Sequence, residues 1–305
     1  MAGESKAAVI GATAANFVIA AVKLAIGLTG SSSMLSEGIH SGIDGVNDLL
    51  LLFGLRASKR LADAQHPFGY GKELYFWSLI VSLCVFSVGG GVTIFEGVRS
   101  VLHPESIRHA LWAYLALACG MAFDLVSLIY GAQQFHKLNP AKSFWKAVRD
   151  SKDPTTFMVL AEDSAAIVGE AIAAVCVFLS RHGILIADGI GSILIGILLA
   201  TIATFLIVHA RHLVLGESVE TEIEQAIQAL AIGDQKFSAV RRSHTVHFGP
   251  ETVLVTIDLE FDPTRSAREL IEAVDHIQRS IRDKFPAVKY VYIDPESSLR
   301  SEPPR

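Results

Sequence analysis

One stretch of the chain reads Ser36-Glu37-Gly38-Ile39-His40-Ser41-Gly42-Ile43-Asp44-Gly45-Val46-Asn47-Asp48. His40 and Asp44 are four residues apart, so on a helix an imidazole and a carboxylate stand one turn apart on the same face. Asn47 and Asp48 extend that stripe by another turn. A second acidic stretch reads Val159-Leu160-Ala161-Glu162-Asp163-Ser164, with Glu170 seven residues past Asp163 and on its face. If the two stretches pack together, one imidazole and two or three carboxylates converge. Nitrogen and oxygen ligands in that number suit a tetrahedral or octahedral first-row cation. Taken alone, His-x-x-x-Asp can equally be a hydrogen bond between two helices. Acids in both stretches favour a cation or proton pathway, because an unpaired carboxylate inside a membrane needs a cation or a proton.

The elements that position these residues are long and apolar. Hydrophobic residues make up 51% of the 305 positions and charged residues only 19%, against roughly 25% in soluble chains. A span needs ~20 mostly apolar residues to cross the hydrocarbon layer as a helix. Six segments qualify: Ala7–Leu28, Met34–Leu55, Leu74–Val98, Ala110–Phe135, Thr155–Leu179 and Ile184–Val208. Lys23, His40, Asp44, Asp48, Asp124, Asp163 and Glu170 interrupt them. A lone apolar helix rejects Asp, Lys or Arg at ~2.5–3.5 kcal/mol each, so these residues belong in a bundle interior or beside water. Lys23 is expected to snorkel or to pair with an acid, and Asp124 to serve packing or gating.

Nine Lys and Arg residues lie in the links between spans 2 and 3 and between spans 4 and 5, against Arg99, Arg108 and Arg181 on the opposite side. The positive-inside rule therefore puts both termini in the cytoplasm. The start, Met1–Lys6, is too short and too weakly basic for a signal or transit peptide. The formal charge of −5 is mild and offers no electrostatic case for nucleic acid. Cys84, Cys119 and Cys176 fall in apolar runs without zinc-ligand spacing, which reads as three buried thiols.

From about Glu217 the pattern changes to short elements with turn signals. Ser218–Ile232 reads as an amphipathic helix, and Ser243–Phe248 and Val253–Phe261 as a hairpin joined by Gly249-Pro250-Glu251. Asp262-Pro263 closes the second strand. Ser266 with Glu269 is a capping box opening a helix to about Phe285, and Val288–Ile293 alternates as a third strand. The expected organisation is a six-helix transmembrane domain at 1–210, a cytoplasmic α+β domain of α-β-β-α-β order at 211–296, and a disordered tail at 297–305.

Three pieces of this sequence together resemble the cation diffusion facilitator family, in its zinc-transporter-9-like branch: Leu35–Ser41 through Asp44, His66-Pro67-Phe68-Gly69-Tyr70-Gly71-Lys72 followed by Tyr75-Phe76-Trp77-Ser78, and Asp188-Gly189-Ile190-Gly191-Ser192. The likeness covers about residues 7–296. It implies a proton-coupled exporter of zinc-like divalent cations that works as a homodimer by alternating access, with spans 3 and 6 as the dimer scaffold. Its transport site maps onto His40 and Asp44 on span 2 and onto Val159 and Asp163 on span 5. Val159 cannot ligate, and Glu162 is the candidate substitute. Adjacent helix positions diverge by ~100°, so Glu162 needs a favourable rotamer or a local bend. A second family site maps onto Asp63 and His66, with Tyr70 in place of a usual His; the competing reading is a turn shaped by His66, Gly69 and Gly71. In the tail, Asp258 and Asp294 occupy two positions of a family site, while Arg241, Ile271 and Tyr292 fill others and argue against a binuclear centre. His244 and His247 read as exposed strand histidines.

The resulting expectation is an integral, multi-pass membrane transporter, not an enzyme, in a bacterial inner membrane. Its partners are the divalent cation, protons, the lipid bilayer and a second copy of the chain. It has no prosthetic group; Zn2+ is the first-choice cargo, with Fe2+, Co2+, Mn2+ and Cd2+ open because carboxylate-rich sites accept harder ions. The alternatives are a membrane metal sensor without flux and an intramembrane metalloenzyme. The latter lacks His-Glu-x-x-His, Gly-x-Ser-x-Gly and a second deep His.

Overall fold

Apolar runs with few breakers become long helices here, because a chain in lipid must satisfy its backbone hydrogen bonds within each segment. The computed structural model describes residues 16–105, 107, 110–138, 143–144, 146–147, 151–233, 237–261 and 264–297. The elements in chain order are α1 (Asn16–Gly27), α2 (Ser32–Ser58), α3 (Glu73–Leu102), α4 (Ala110–Leu138), α5 (Pro154–Arg181) and α6 (Ile186–Leu215). The tail follows with α7 (Thr221–Ile232), β1 (Phe237–Gly249), β2 (Thr252–Phe261), α8 (Ala267–Lys284) and β3 (Val288–Ser297). Among the described residues four helices, α3 to α6, are long and apolar enough to cross a membrane. In α2 the residues that could do chemistry dilute the apolar pattern, and α1 is a shorter apolar helix over its described length. The readings made for Met1–Lys6, for the start of the first span, for Asp262-Pro263 and for Leu299–Arg305 lie outside the described residues.

The chain divides into two compact units. The first holds the described residues up to Leu55 together with Phe76–Arg211, and the second holds Arg56–Tyr75 and the described residues from His212 onward. Inside the first unit, small residues set the closest helix approaches. A Cβ on Gly90 of α3 would meet Ala200 of α6 at 2.9 Å; one on Gly97 would meet Ile193, and ones on Gly189 and Gly196 would meet Val101 and Ile94. Lipid tails are as apolar as leucine, so close backbone packing replaces the hydrophobic effect as the force between such helices. At Val85–Val92 the α3 helix widens into a π-helical segment. The N-terminus of α2 is capped from a distance. Asp188, at the start of α6, accepts from the backbone N–H groups of Ser32 and Ser33 and from the hydroxyls of Ser31, Ser32 and Ser33. A carboxylate there satisfies orphan donors and complements the positive end of the helix.

Free cysteines occupy three different surroundings: Cys176 is buried, Cys84 half-buried and Cys119 exposed. The expectation of three buried thiols therefore holds for one. On helices bathed in lipid an apolar run has an outer face as well as an inner one, and a small soft thiol is at home on either.

The second unit is built around a sheet in the order β1-β2-β3. β1 and β2 pair antiparallel, and β2 and β3 pair parallel through the α8 crossover. Val253, Val255, Ile257 and Leu259 alternate toward Ala273, Ile277 and Ile281, the buried stripe of α8. The Ser266–Glu269 capping box is present in full. β1 begins six residues earlier than the sequence pattern suggested, because irregular pairings between Phe237 and Ala239 and between Val240 and Arg242 interrupt its alternation. Residues 56–75 join this unit through Phe68, whose ring packs 4.8 Å from Phe248 and 5.1 Å from Tyr290.

Candidate functional site

Helix α2 carries His40, Asp44, Asn47 and Asp48, α4 carries Asp124 and Ser127, and α5 carries Glu162 and Asp163. These helices enclose a cavity of about 340 Å³ lined by Asn16, Asp44, Asp48, Asp124, Glu162 and Asp163 among its polar residues. Leu51, Leu52 and Leu55 near the end of α2 and Thr155 at the start of α5 also line it. The cavity thus runs from the middle of α2 toward the side of the basic links. Among the described residues that line it, five are acidic and none is Lys or Arg.

Each acid has a different set of neighbours. The Asn47 amide donates to Glu162 Oε1 at 3.0 Å, and Asn16 donates to Asp48 Oδ2 at 3.3 Å. Ser127 meets Asp163. Asp44 Oδ1 and Asp163 Oδ2 are buried without a hydrogen-bond partner. His40 is buried one turn from Asp44, its Nδ1 3.6 Å from Asp44 Oδ1, and neither ring nitrogen makes a hydrogen bond. Orphaned polar atoms of this kind are costly unless a ligand, water or proton meets them. The side chain of Val159 also faces the cavity, and Glu162 does so from the neighbouring position. Among the described residues, no three His, Cys, Asp or Glu side chains stand close enough to hold a metal ion. Asp44, Glu162 and Asp163 are therefore neighbours around a space, and His40, buried one turn from Asp44, is not among its lining residues; the four do not form a closed coordination shell.

Glu170 does not join them. It turns to Lys23, whose Nζ lies 2.6 Å from Glu170 Oε1 and 3.4 Å from Glu37 Oε2. Spacing on α5 put Glu170 on the face of Asp163, but only the position of α1 shows which neighbour it meets.

Asp63 and His66 are spent on a turn. Asp63 Oδ1 accepts from the backbone N–H groups of Gln65 and His66 at 2.9 and 2.8 Å, and Oδ2 accepts from the Tyr70 hydroxyl at 2.6 Å. The Tyr70 hydroxyl and the His66 backbone N–H hold the Asp63 carboxyl below its usual range, and the same bond pushes the Tyr70 hydroxyl up. The His66 ring lies 4.2 Å from that of Tyr70, which also carries the Arg60 guanidinium over its face. In the tail, Arg242 binds Asp258 at 2.9 Å and Arg241 binds Glu260 at 3.2 Å. His244 is exposed, but His247 is buried, with Nδ1 3.3 Å from the Gly249 carbonyl. The reading of His247 as exposed is corrected: pairing is regular from Ser243 to His247, so two residues three apart lie on opposite faces, and His247 falls on the buried face with Thr245.

The cation efflux transmembrane domain family matches residues 9–213. The mitochondrial proton-coupled zinc antiporter SLC30A9 of Homo sapiens is 35% identical over 253 residues, covering 82% of this chain and 44% of its own length. Metal tolerance protein C4 of Arabidopsis thaliana is 31% identical over 265 residues, covering 85% of this chain and 58% of its own length. Magnetosome protein MamB of Magnetospira sp. is 26% identical over 266 residues, covering 87% of this chain and 86% of its own length. The chain thus spans about half the length of the first two relatives. Since the family match contains every helix that lines the acidic cavity, the chain is a multi-pass membrane protein that belongs to the cation efflux, or cation diffusion facilitator, family, in its zinc-transporter-9-like branch.

Proposed function

We propose that this chain is a secondary transporter that exports zinc-like divalent cations from the cytoplasm in exchange for protons. The observation that carries this reading is the acidic cavity: five carboxyl groups from three apolar helices, with no Lys or Arg among the described lining residues and with orphaned oxygens on Asp44 and Asp163. Such a cluster needs cations to neutralise it, and a mobile divalent ion or protons can do so in turn. The names of the human and Arabidopsis relatives agree with metal as the cargo.

His40, Asp44 and Asp163, with Glu162 in place of Val159, are the proposed ligands. Binding draws them inward around one ion, and Asn47 holds Glu162 at the cavity wall until then. Protons from the opposite side compete for the imidazole and carboxylates and release the ion. Zinc is the first choice because one imidazole and several carboxylates suit it; iron, cobalt, manganese and cadmium remain candidate cargoes. In this reading α1 and α2 also cross the bilayer, giving six spans, both termini face the cytoplasm, and the tail and the glycine-lined α3–α6 pair support a homodimer. A bacterial inner membrane is the location we favour. Asp63, His66 and the Arg242-paired Asp258 are not assigned to the transport path.

The test is flux in proteoliposomes of the purified chain, with zinc, iron, cobalt, manganese and cadmium offered under an imposed pH gradient. Gradient-dependent flux that disappears in Asp44→Ala and Asp163→Ala establishes the reading. Metal binding without flux of any ion would move the protein to the sensor class.

A further inference from the structure

A second charged cluster closes on itself deeper along the same helices. Glu37 precedes Asp44 on α2 by seven residues and Glu170 follows Asp163 on α5 by seven, which is about 10 Å along each axis at 1.5 Å per residue. Both glutamates meet Lys23 of α1. Its ammonium donates to Glu170 Oε1 at 2.6 Å, to Ser41 Oγ at 3.1 Å and to Glu37 Oε2 at 3.4 Å. All three charged side chains are at most 1% exposed, and none of them lines the acidic cavity.

Glycines on two helices clear the room this cluster occupies. A Cβ on Gly120 of α4 would overlap the Glu170 carboxylate and lie 3.0 Å from Lys23 Nζ, and one on Gly169 of α5 would lie 2.5 Å from Glu37 Oε1. The charge count is uneven, with one ammonium facing two carboxyl groups. Moreover, Glu37 Oε1 and Glu170 Oε2 are buried without a hydrogen-bond partner. The surrounding helices supply no second cation among the described residues. α2 adds His40 and Asp44 beyond Ser41, and α4 adds the further carboxyl of Asp124. On α6, Asp188 is engaged by Ser31–Ser33. A single proton removes the excess negative charge and leaves at least one of the two orphaned oxygens on a neutral carboxyl, which is far less costly to bury.

We propose that Lys23, Glu37 and Glu170 form a proton-binding site separate from the metal cavity, which holds one proton on the glutamate pair while α1, α2 and α5 are drawn together. The site then contains one ammonium, one carboxylate and one carboxylic acid, with no net charge. Parting the helices lets water reach it, and the carboxylic acid gives its proton to water and becomes a carboxylate. The proposal rests on the transport reading only for the use of that proton, which would be part of the counter-flux; occupancy of the site is independent of it.

The experiment is infrared spectroscopy of the zinc-saturated, full-length protein labelled with 13C-glutamate, paired with proteoliposome zinc flux. Zinc strips the proton from a coordinating carboxyl in the cavity, so a protonated 13C-glutamate band that persists under saturating zinc at neutral pH, and that Glu162→Gln leaves in place, belongs to the triad. The expected result is such a band in wild type, lost in Glu170→Gln, where one ammonium faces one carboxylate and needs no proton. Lys23→Met should enlarge it. In Glu170→Gln, zinc Kd by calorimetry should stay within about twofold, while the response of flux to the pH gradient weakens on the order of tenfold. Absence of the band in zinc-saturated wild type overturns the proposal without any variant having to fold. It is equally overturned if Glu170→Gln and Glu37→Gln both keep the wild-type band and gradient response. If wild type carries no zinc flux, the transport reading fails and the band alone decides the proton site.

Discussion

Acids crowd two regions of this molecule, and their neighbours differ. Around the cavity, Asp44, Asp48, Asp124, Glu162 and Asp163 line a space that no Lys or Arg among the described residues enters, and two of their oxygens lack partners. On the sheet of the tail, Asp258 and Asp294 are paired across β2 and β3, but Arg242 reaches Asp258 at 2.9 Å. Next to it, Glu260 is held by Arg241. Acid density alone does not distinguish the two regions. A fixed arginine answers Asp258 on the sheet, whereas the cavity leaves its charge to a mobile ion. The Lys23 triad stands between these cases, with a fixed cation too few for its carboxyl groups.

This contrast can be broken most directly at the cavity. Asp44→Ala or Asp163→Ala should lower gradient-driven metal flux by more than the roughly 10–100-fold expected when an outer partner of a metal ligand is lost. A smaller loss in proteoliposomes would move the binding site elsewhere. Glu162→Ala should cost on the order of 10–100-fold in metal affinity, and Val159→Asp in the same chain should recover most of it, because that side chain also faces the cavity. Calorimetry reads both, and a Glu162→Ala protein of unchanged affinity would reduce the site to three protein ligands.

On the tail side, Arg242→Ala should cost no more than ~1 kcal/mol in unfolding free energy, since the pair is partly exposed. It should also free Asp258 and Asp294 to bind a divalent cation weakly, as an event added to the binding of the parent protein. Calorimetric detection of an added binding event checks this, and its absence would show that charge release alone does not make a site. The smallest effect belongs to the Asp63 turn. Folding lowers the proton affinity of Asp63, so its contribution to stability is complete above the ordinary aspartate range near ~4 and is lost as pH falls through the depressed value. Tyr70→Phe should flatten that acid limb in thermal unfolding scans, with flux at neutral pH unchanged.

Much of the site could be read along single helices. The His40–Asp44 spacing put both on one face of α2, and the Glu162-Asp163 pair was visible on α5. The α-β-β-α-β order of the tail followed from alternation, turn residues and the Ser266–Glu269 box. What escaped were matters of distance between helices. Nothing in the spacing of α5 says that Glu170 leaves Asp163 for Lys23, which is 147 positions away. Asp188 looked like part of a family motif, and its work as a cap for α2 depends on a contact across 156 positions. β1 was read too short because its irregular pairings break the two-residue period on which the reading depended.

By itself, then, the sequence determined which segments are apolar enough to be helices in lipid, which faces of them carry charge, and which side of the bundle is basic. These properties are local, set by side-chain type and by the 3.6-residue period. Only the tertiary structure decided which charges meet a fixed counter-charge and which are left facing a cavity. That depends on helix packing at glycine contacts, where the absence of a Cβ lets Gly120 and Gly169 admit the Lys23 triad. Spacing cannot reveal it, since a glycine in an apolar run reads the same whether it faces lipid or a buried ammonium.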